Sequence, residues 1–415
     1  MRFLLILAPL ALLAATAVDP ALGDAQGYGV YRAHPDAIQW HAVLLHSAWA
    51  LYVPGLLALL APIRARGAVL ARLAWVAAVA GLTTFSALMA ADLWILALEQ
   101  NLPDDAVRRA DEAFQALPWA QRGWQVPGLA GWALALVLTP IAAARARVID
   151  WWTAGAALLG TALYFLFAIS PLPLSLTGPA VMLAAYATAA LRMRSPAEGP
   201  DAFGRFVDRA GRACLVAAPL LFAAGLATVP GFSPGLDGSL AHPAQAQASA
   251  LLLHLSWLAC IPVVLHLTRG PRLWPRIAGA VTALALVNFS GLMVGDYTTI
   301  AAATALDRAT AERVDATVGG YSLFALGWVL PGMALTLLGL IVTAIAATVT
   351  RRARWWTPVL TAAGVAAFLV LGVGPLSLLS PALLLAALAP LARSDRPAQP
   401  ITAAPPEPAI PAEQH

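Results

Sequence analysis

Lysine is absent from this chain: all 25 basic residues are arginine. That points to a GC-rich genome rather than to a function. Charge of either sign is scarce, at 11% of 415 residues, where soluble domains carry about 25%. A surface so poor in charge excludes a water-soluble globular protein. Cysteine occurs only as Cys214 and Cys260, each inside an apolar run, which excludes a disulfide framework and a thiolate metal site. No basic cluster suited to nucleic acid is present. There is no Gly-x-Ser-x-Gly, no phosphate loop, no His-Glu-x-x-His and no dinucleotide fingerprint. The chain therefore does not read as an enzyme, and any catalysis would have to be intramembrane.

What the chain has in abundance is apolar sequence. Hydrophobic residues make up 60%, in runs near 3–19, 38–62, 67–97, 123–144, 151–169, 176–192, 211–229, 248–267, 274–298, 321–349, 355–373 and 376–392. A span needs about 20 apolar residues, so the expected fold is an all-α polytopic integral membrane protein with about twelve transmembrane helices. The runs ending near Arg192 and Arg393 are short and interrupted by Pro179 and Pro381, and arginine placement decides for keeping them. With the N-terminus cytoplasmic, nineteen of the 25 arginines fall in inner loops, the positive-inside pattern. This predicts a multi-pass protein of the bacterial inner membrane with both termini cytoplasmic. Outer loops hold most of the acids, among them Asp24, Asp36, Glu99, Asp104, Asp105, Asp111, Asp237, Asp307, Glu312 and Asp315. The net charge of +4 says less than the side on which each charge lies. Residues 1–19 also have the form of a signal peptide; the similar placing of 211–229, where no signal can act, favours a span.

Two halves of the chain align with each other. Leu45-His46-Ser47-Ala48-Trp49 with Pro54 matches Leu253-His254-Leu255-Ser256-Trp257 with Pro262 at an offset of 208. Phe85 to Asp92 matches Phe289 to Asp296, Gly123-Trp124 matches Gly327-Trp328, and Trp151-Trp152 matches Trp355-Trp356, all at 204. Gly160 and Gly364, suited to close helix packing, share that offset. The expected organisation is a tandem parallel duplication: a six-helix repeat over 1–196, a cytoplasmic linker at 197–210, a second repeat over 211–396, and a disordered Pro/Ala-rich tail at 397–415. Between the third and fourth spans, Asn101 and Pro103 are placed to start a helix whose Val107, Ala110 and Phe114 share one face. This predicts a helix lying on the outer membrane surface, with a weaker copy from Thr304 to Val318.

Twelve spans in two halves resembles the major facilitator superfamily in span count and length. That family's loop signature has a near match at Gly204-Arg205-Phe206-Val207-Asp208-Arg209-Ala210-Gly211-Arg212. It stands before the seventh run, whereas the family places it between the second and third, where this chain has Pro62-Ile63-Arg64-Ala65-Arg66-Gly67. The resemblance goes no further.

Ionisable residues inside spans are costly and are functional candidates. His46 and Asp92 fall within about 12 Å of the outer surface on adjacent antiparallel spans, counting 1.5 Å per residue, and His254 and Asp296 repeat the arrangement. Each His–Asp pair is expected to hydrogen bond, or each residue to take a backbone or serine partner such as Ser86 and Ser290. Three roles fit: a polar clamp between helices, a proton- or cation-linked transport site, or a metal or haem site in which His46 and His254 are the ligands. Trp49 and Trp257, one turn after each histidine, could wall a cavity. Trp40, Trp119, Trp124, Trp151, Trp152, Trp328, Trp355 and Trp356 read as interface anchors. The leading functional reading is a transporter-like or small-ligand-binding membrane protein, with a non-catalytic assembly component and a redox protein as alternatives. No cofactor is required. The expected partners are the lipid bilayer, other membrane proteins or further copies of the chain, and not nucleic acid.

Overall fold

The computed structural model describes residues 2–23, 27–194, 200–232 and 236–393. The expected tail at 397–415, and Asp24, lie outside them. Regular structure among the described residues is helical throughout. The main helices are α1 (Leu4–Val18), α2 (Pro35–Leu60), α3 (Ala68–Asn101), α4 (Asp104–Ala116), α5 (Ala120–Arg145), α6 (Trp151–Phe167) and α7 (Leu174–Arg192). They continue as α8 (Ala202–Ala227), α9 (Pro243–Leu267), α10 (Leu273–Ala305), α11 (Arg308–Gly319), α12 (Ser322–Val349), α13 (Trp356–Leu371) and α14 (Pro375–Ala392). Nine helices among the described residues are long and apolar enough to cross a membrane, and α1, α6 and α13 are shorter apolar helices. Among the described residues the chain is all-helical, and its long apolar helices are those of a polytopic membrane protein. The start of α8 at Ala202 places much of the expected 197–210 linker in helix.

Local sequence explains where the helices begin and bend. Asp150, Asp201 and Asp307 cap α6, α8 and α11 by accepting the backbone N–H of Thr153, Gly204 and Thr310 at 2.7, 2.7 and 3.0 Å. Pro35 and Pro243 sit in the first turns of α2 and α9, where a missing N–H costs nothing. Pro54 and Pro262 lie inside the same two helices, removing one backbone bond from each and favouring a bend. The α-helical runs of α3 and α10 break at Leu88-Met89 and Leu292-Met293. Their partners α5 and α12 widen to π-helix near their starts, at Ala120–Gln125 and Ala325–Val329.

Helices α1, α2, α3, α5, α6 and α7 each pack on the next, and α7 closes back on α1; α8, α9, α10, α12, α13 and α14 close in the same way. Each ring has an aromatic centre. In the first it is Trp49, Tyr52, Phe85, Trp132, Tyr164 and Tyr186, and in the second Phe222, Trp257, Phe289 and Phe368. The rings meet along α2 and α3 on one side and α9 and α10 on the other. Close helix approach is set by glycine: a Cβ on Gly81 of α3 would run into the backbone of Gly131 of α5, and one on Gly160 of α6 would stand 2.7 Å from the Met182 backbone of α7.

At 34 and 33 residues, α3 and α10 extend for about 50 Å, well beyond a hydrocarbon core of about 30 Å. Their projecting ends carry α4 and α11, and these are exchanged. Helix α4 packs against α10 of the other ring and α11 against α3. Val107, Ala110 and Phe114 are buried in this contact with Tyr297, Ile300 and Ala301, so the amphipathic face is covered by protein rather than laid on lipid. Asn101 does not start α4; it ends α3, its amide donating to the Ala97 carbonyl and to Thr317 Oγ1 of α11, and Pro103 takes the capping position.

Three carboxylates outside the spans are held below the usual carboxylate range: Asp105 by the Arg109 guanidinium at 2.7 Å, Asp150 by the Thr153 amide, and Asp307 by Thr310. A depressed folded-state value means that their stabilisation is complete above the ordinary carboxylate range and is lost as pH falls through the folded values. The thermal midpoint of the detergent-solubilised protein is therefore expected to hold from neutral pH to near pH 5 and to fall below about pH 4. In Asp150→Asn/Asp307→Asn the fall should be shallower, and an unchanged slope would contradict these assignments.

Candidate functional site

The expected His–Asp pairs do not form. His46, buried on α2, lies 3.0 Å through Nδ1 from the Ser86 carbonyl of α3, within its own ring, while Nε2 crosses to the second ring and lies 2.9 Å from the Asn288 side-chain amide of α10. Its imidazole stacks on Trp328 of α12, with ring centroids 3.3 Å apart and planes 11° from parallel. His254 on α9 does the reverse. Its Nδ1 lies 3.2 Å from the Ser290 carbonyl, its Nε2 is 2.9 Å from Thr84 Oγ1 of α3 in the first ring, and its imidazole lies against Trp124 of α5 at 3.9 Å. Each tryptophan is tied in turn to the backbone of the residue that meets the histidine: Trp124 Nε1 donates to the Thr84 carbonyl and Trp328 Nε1 to the Asn288 carbonyl, both at 2.9 Å.

Chemistry fixes the protons. The Ser86 and Ser290 carbonyls can only accept, so Nδ1 donates in both rings. A neutral imidazole then accepts at Nε2. Asn288 supplies its NH2 to His46, the two ends of an amide being interchangeable in shape. Thr84 has a single hydroxyl proton, which lies between two acceptors, the Ala80 carbonyl at 2.7 Å and His254 Nε2 at 2.9 Å. Each histidine thus meets its own ring at Nδ1 and the other ring at Nε2, in two reciprocal clamps that join the rings. Asp92 instead accepts from the Tyr31 hydroxyl at 3.2 Å, and its carboxylate holds that hydroxyl well above the ordinary tyrosine range. Asp296 is exposed and makes no hydrogen bond or ion pair among the described residues. The breaks at Leu88-Met89 and Leu292-Met293 separate each aspartate from the helical run that meets its histidine, which depth along a straight helix does not reveal.

The haem reading does not fit these residues. Two axial ligands would need the Nε2 atoms now bonded to Asn288 and Thr84, and a macrocycle would need the space filled by Trp328 and Trp124. Among the described residues no group of three or more His, Cys, Asp or Glu side chains is placed to share a metal ion. Trp49 and Trp257 occupy the ring centres, Trp257 beside a void of only about 30 Å³, rather than walling a chamber at the histidines. Trp40, Trp119, Trp151, Trp152 and Trp355 are exposed as anchors should be, but Trp124 and Trp328 are 1% and 0% exposed and belong to the clamps. Thr84 and Asn288 went unnoticed as functional residues in the sequence. A signal existed: they are polar, intramembrane and 204 apart, two residues before Ser86 and Ser290.

The larger cavity lies elsewhere. It measures about 380 Å³, within the range of small-ligand sites, and opens between the rings at the arginine-rich end. From the first ring it is lined by α2 from Val53 to Ala61, by Arg64 and by Trp75; from the second by the start of α8, by α9 from Ile261 to Thr268, by Arg269, and by Arg276, Ala280 and Ala283 of α10. Asp201 bridges the rings at its mouth, 2.5 Å from Arg64 Nη1 and 3.7 Å from Arg269 Nη2. His46 and Leu57 are eleven residues apart on α2, about 16 Å along the axis, so clamp and cavity occupy separate levels of one interface. Pro54 and Pro262 stand eight residues after the two histidines, where the cavity wall begins on the clamp side. No protein-family model, curated protein or solved structure matches the chain.

Proposed function

We propose that this chain is a ligand-handling, transporter-like membrane protein. Its two halves are held shut at the outer side by the His46 and His254 clamps and part at the cytoplasmic side around a binding cavity. The single observation that carries the reading is this split of one interface into a latched level and a hollow level. The exchanged α4 and α11 add a second seal over the latched end, and the prolines give α2 and α9 a place to flex between the levels. In this reading the histidines are latches rather than proton relays or metal ligands.

The finer architecture belongs to the same proposal. The twelve apolar helices all cross, as two copies of a six-span unit related by an axis along the membrane normal, with both termini and the arginine-rich loops in the cytoplasm. Matching features beyond the aligned motifs support a duplication: Arg147 and Arg351 both adopt positive φ, at 61° and 58°, after α5 and α12, and both rings close in the same order. The short spans α1, α6 and α13, at 15 to 17 residues, rise only about 25 Å and fit if the bilayer thins locally or flanking residues reach the interface.

Cysteine accessibility tests the reading. In a chain with Cys214 and Cys260 replaced by alanine, Ala58→Cys in the cavity should react with a membrane-impermeant thiol reagent from the cytoplasmic face only. Adding His46→Ala and His254→Ala should expose it to the outer face as well. Reaction from the cytoplasmic face alone in both backgrounds would remove the gating role.

A further inference from the structure

We infer that the cavity at the arginine-rich end binds an amphiphilic organic anion, a single carboxylate or phosphate group carried on an apolar body. Much of the wall is apolar: Pro54 and Leu57 of α2, Ile261 and Leu265 of α9 and Ala283 of α10 line it. Cations gather at the mouth. Arg64, Arg269 and Arg276 all line the cavity and Asp201 is the one carboxylate among the lining residues. Asp201 is committed, since it caps α8 through Gly204 and holds Arg64 at 2.5 Å. Arg269 stands further off, at 3.7 Å, and Arg276 makes no hydrogen bond or ion pair among the described residues. One loosely held guanidinium and one free one therefore face an apolar, low-dielectric chamber, where cations of one sign focus a field that attracts an anion. Guanidinium forks suit carboxylate and phosphate oxygens. A fully polar anion would leave the apolar wall unmatched, a neutral apolar molecule would leave the arginines unanswered, and an organic cation would be repelled.

This inference names the ligand of the site proposed above and shares with it only the location of the chamber. The protein in neutral maltoside detergent would be titrated with ω-bromoundecanoate, whose bromine quenches tryptophan on contact, because Trp75 lines the cavity. Saturable quenching is expected, abolished in Trp75→Phe and weakened at least tenfold in Arg276→Gln, an exposed position whose loss spares the fold, and likewise in Arg269→Gln. The neutral ω-bromoundecanol should bind at least tenfold more weakly, and inorganic phosphate should not compete. Equal quenching by the alcohol, quenching that survives Trp75→Phe, or full competition by phosphate would each overturn the inference. Repeating the titration in nanodiscs separates the two sources of such a ligand. Loss of quenching in phosphatidylglycerol but not in phosphatidylcholine upholds the site with a lipid as occupant, and equal quenching in both upholds it with a soluble acid. Carboxylate binding in a protein whose outer end never opens would refute the transport reading and leave this one standing; opening without carboxylate binding would do the reverse.

Discussion

Replacing both clamp histidines by alanine should loosen the whole molecule. Each substitution removes a ring that stacks on tryptophan, takes one of two donors from the Ser86 or Ser290 carbonyl, which keeps the Met89 or Met293 N–H at 3.3 Å, and leaves Asn288 or Thr84 without its cross-ring partner. A lost aromatic stack costs about 0.5–1.5 kcal/mol and a stranded buried polar group about 1–3 kcal/mol. Adding the cavity left behind, each clamp should account for about 3–5 kcal/mol. Thr84 keeps its bond to the Ala80 carbonyl at 2.7 Å, so His254→Ala should cost less than His46→Ala, which leaves Asn288 with no partner. Reversible unfolding in mixed detergent micelles measures this. Both variants should be destabilised in that order, and His46→Ala combined with Trp328→Ala should cost less than the two singles together, because they share one stack. Independent effects, or losses under about 1 kcal/mol, would mean that the clamps do not hold the rings together.

A comparably large effect is expected at a place with no polar chemistry. Gly81 and Gly131 allow α3 and α5 to cross with their backbones in contact, and a Cβ on either would occupy the other residue's backbone. Neither helix can yield cheaply, because α3 also packs on α2 and α5 on α6. Gly131→Leu should prevent the first ring from closing, costing more than the 1–3 kcal/mol typical of overpacking, and should appear as loss of monodisperse protein on size exclusion. Gly155→Leu is the control: a Cβ there meets nothing within 4 Å, and the variant should behave as the parent chain.

Much of this architecture was legible in the sequence because the bilayer imposes a simple rule. A stretch that must satisfy its backbone inside hydrocarbon becomes an apolar helix, so most helix ends fall within a few residues of the runs, the exceptions being α8, which starts nine residues before its run, and α10, which ends seven residues after its own. The correspondence between the halves was legible in the offsets: His46 and His254, Trp124 and Trp328, and Ser86 and Ser290 hold nearly one offset, and all six make equivalent contacts. Partner identity was not legible. Asp92 lies at the right depth for His46, but depth on a straight helix ignores the break at Leu88-Met89. The partners at Nε2 come from the other ring, and a pattern internal to one half cannot disclose what that half meets. Trp124 and Trp328 misled for a second reason. A tryptophan near a span end is an interface anchor when it faces lipid, as Trp152 does at 90% exposure, but here the π-helical turns accompany rings that point inward. The cavity was invisible because its wall consists of ordinary span residues, and only the fold brings Arg64, Arg269 and Arg276 to one mouth.

The central claim is that one interface is latched at its outer level and free to move at its inner level. Spin labels test it most directly, in a chain lacking Cys214 and Cys260. One pair, Arg108→Cys and Ala316→Cys, reports across the end that carries α4 and α11, and another, Arg66→Cys and Arg272→Cys, across the arginine-rich end; all four positions are exposed. Pulsed dipolar spectroscopy in lipid nanodiscs should show a single narrow distance for the outer pair. In His46→Ala/His254→Ala that distribution should broaden toward longer distances while the inner pair shifts to shorter ones. Both distributions unchanged by loss of the clamps, or both broadened together without opposite shifts, would contradict the account.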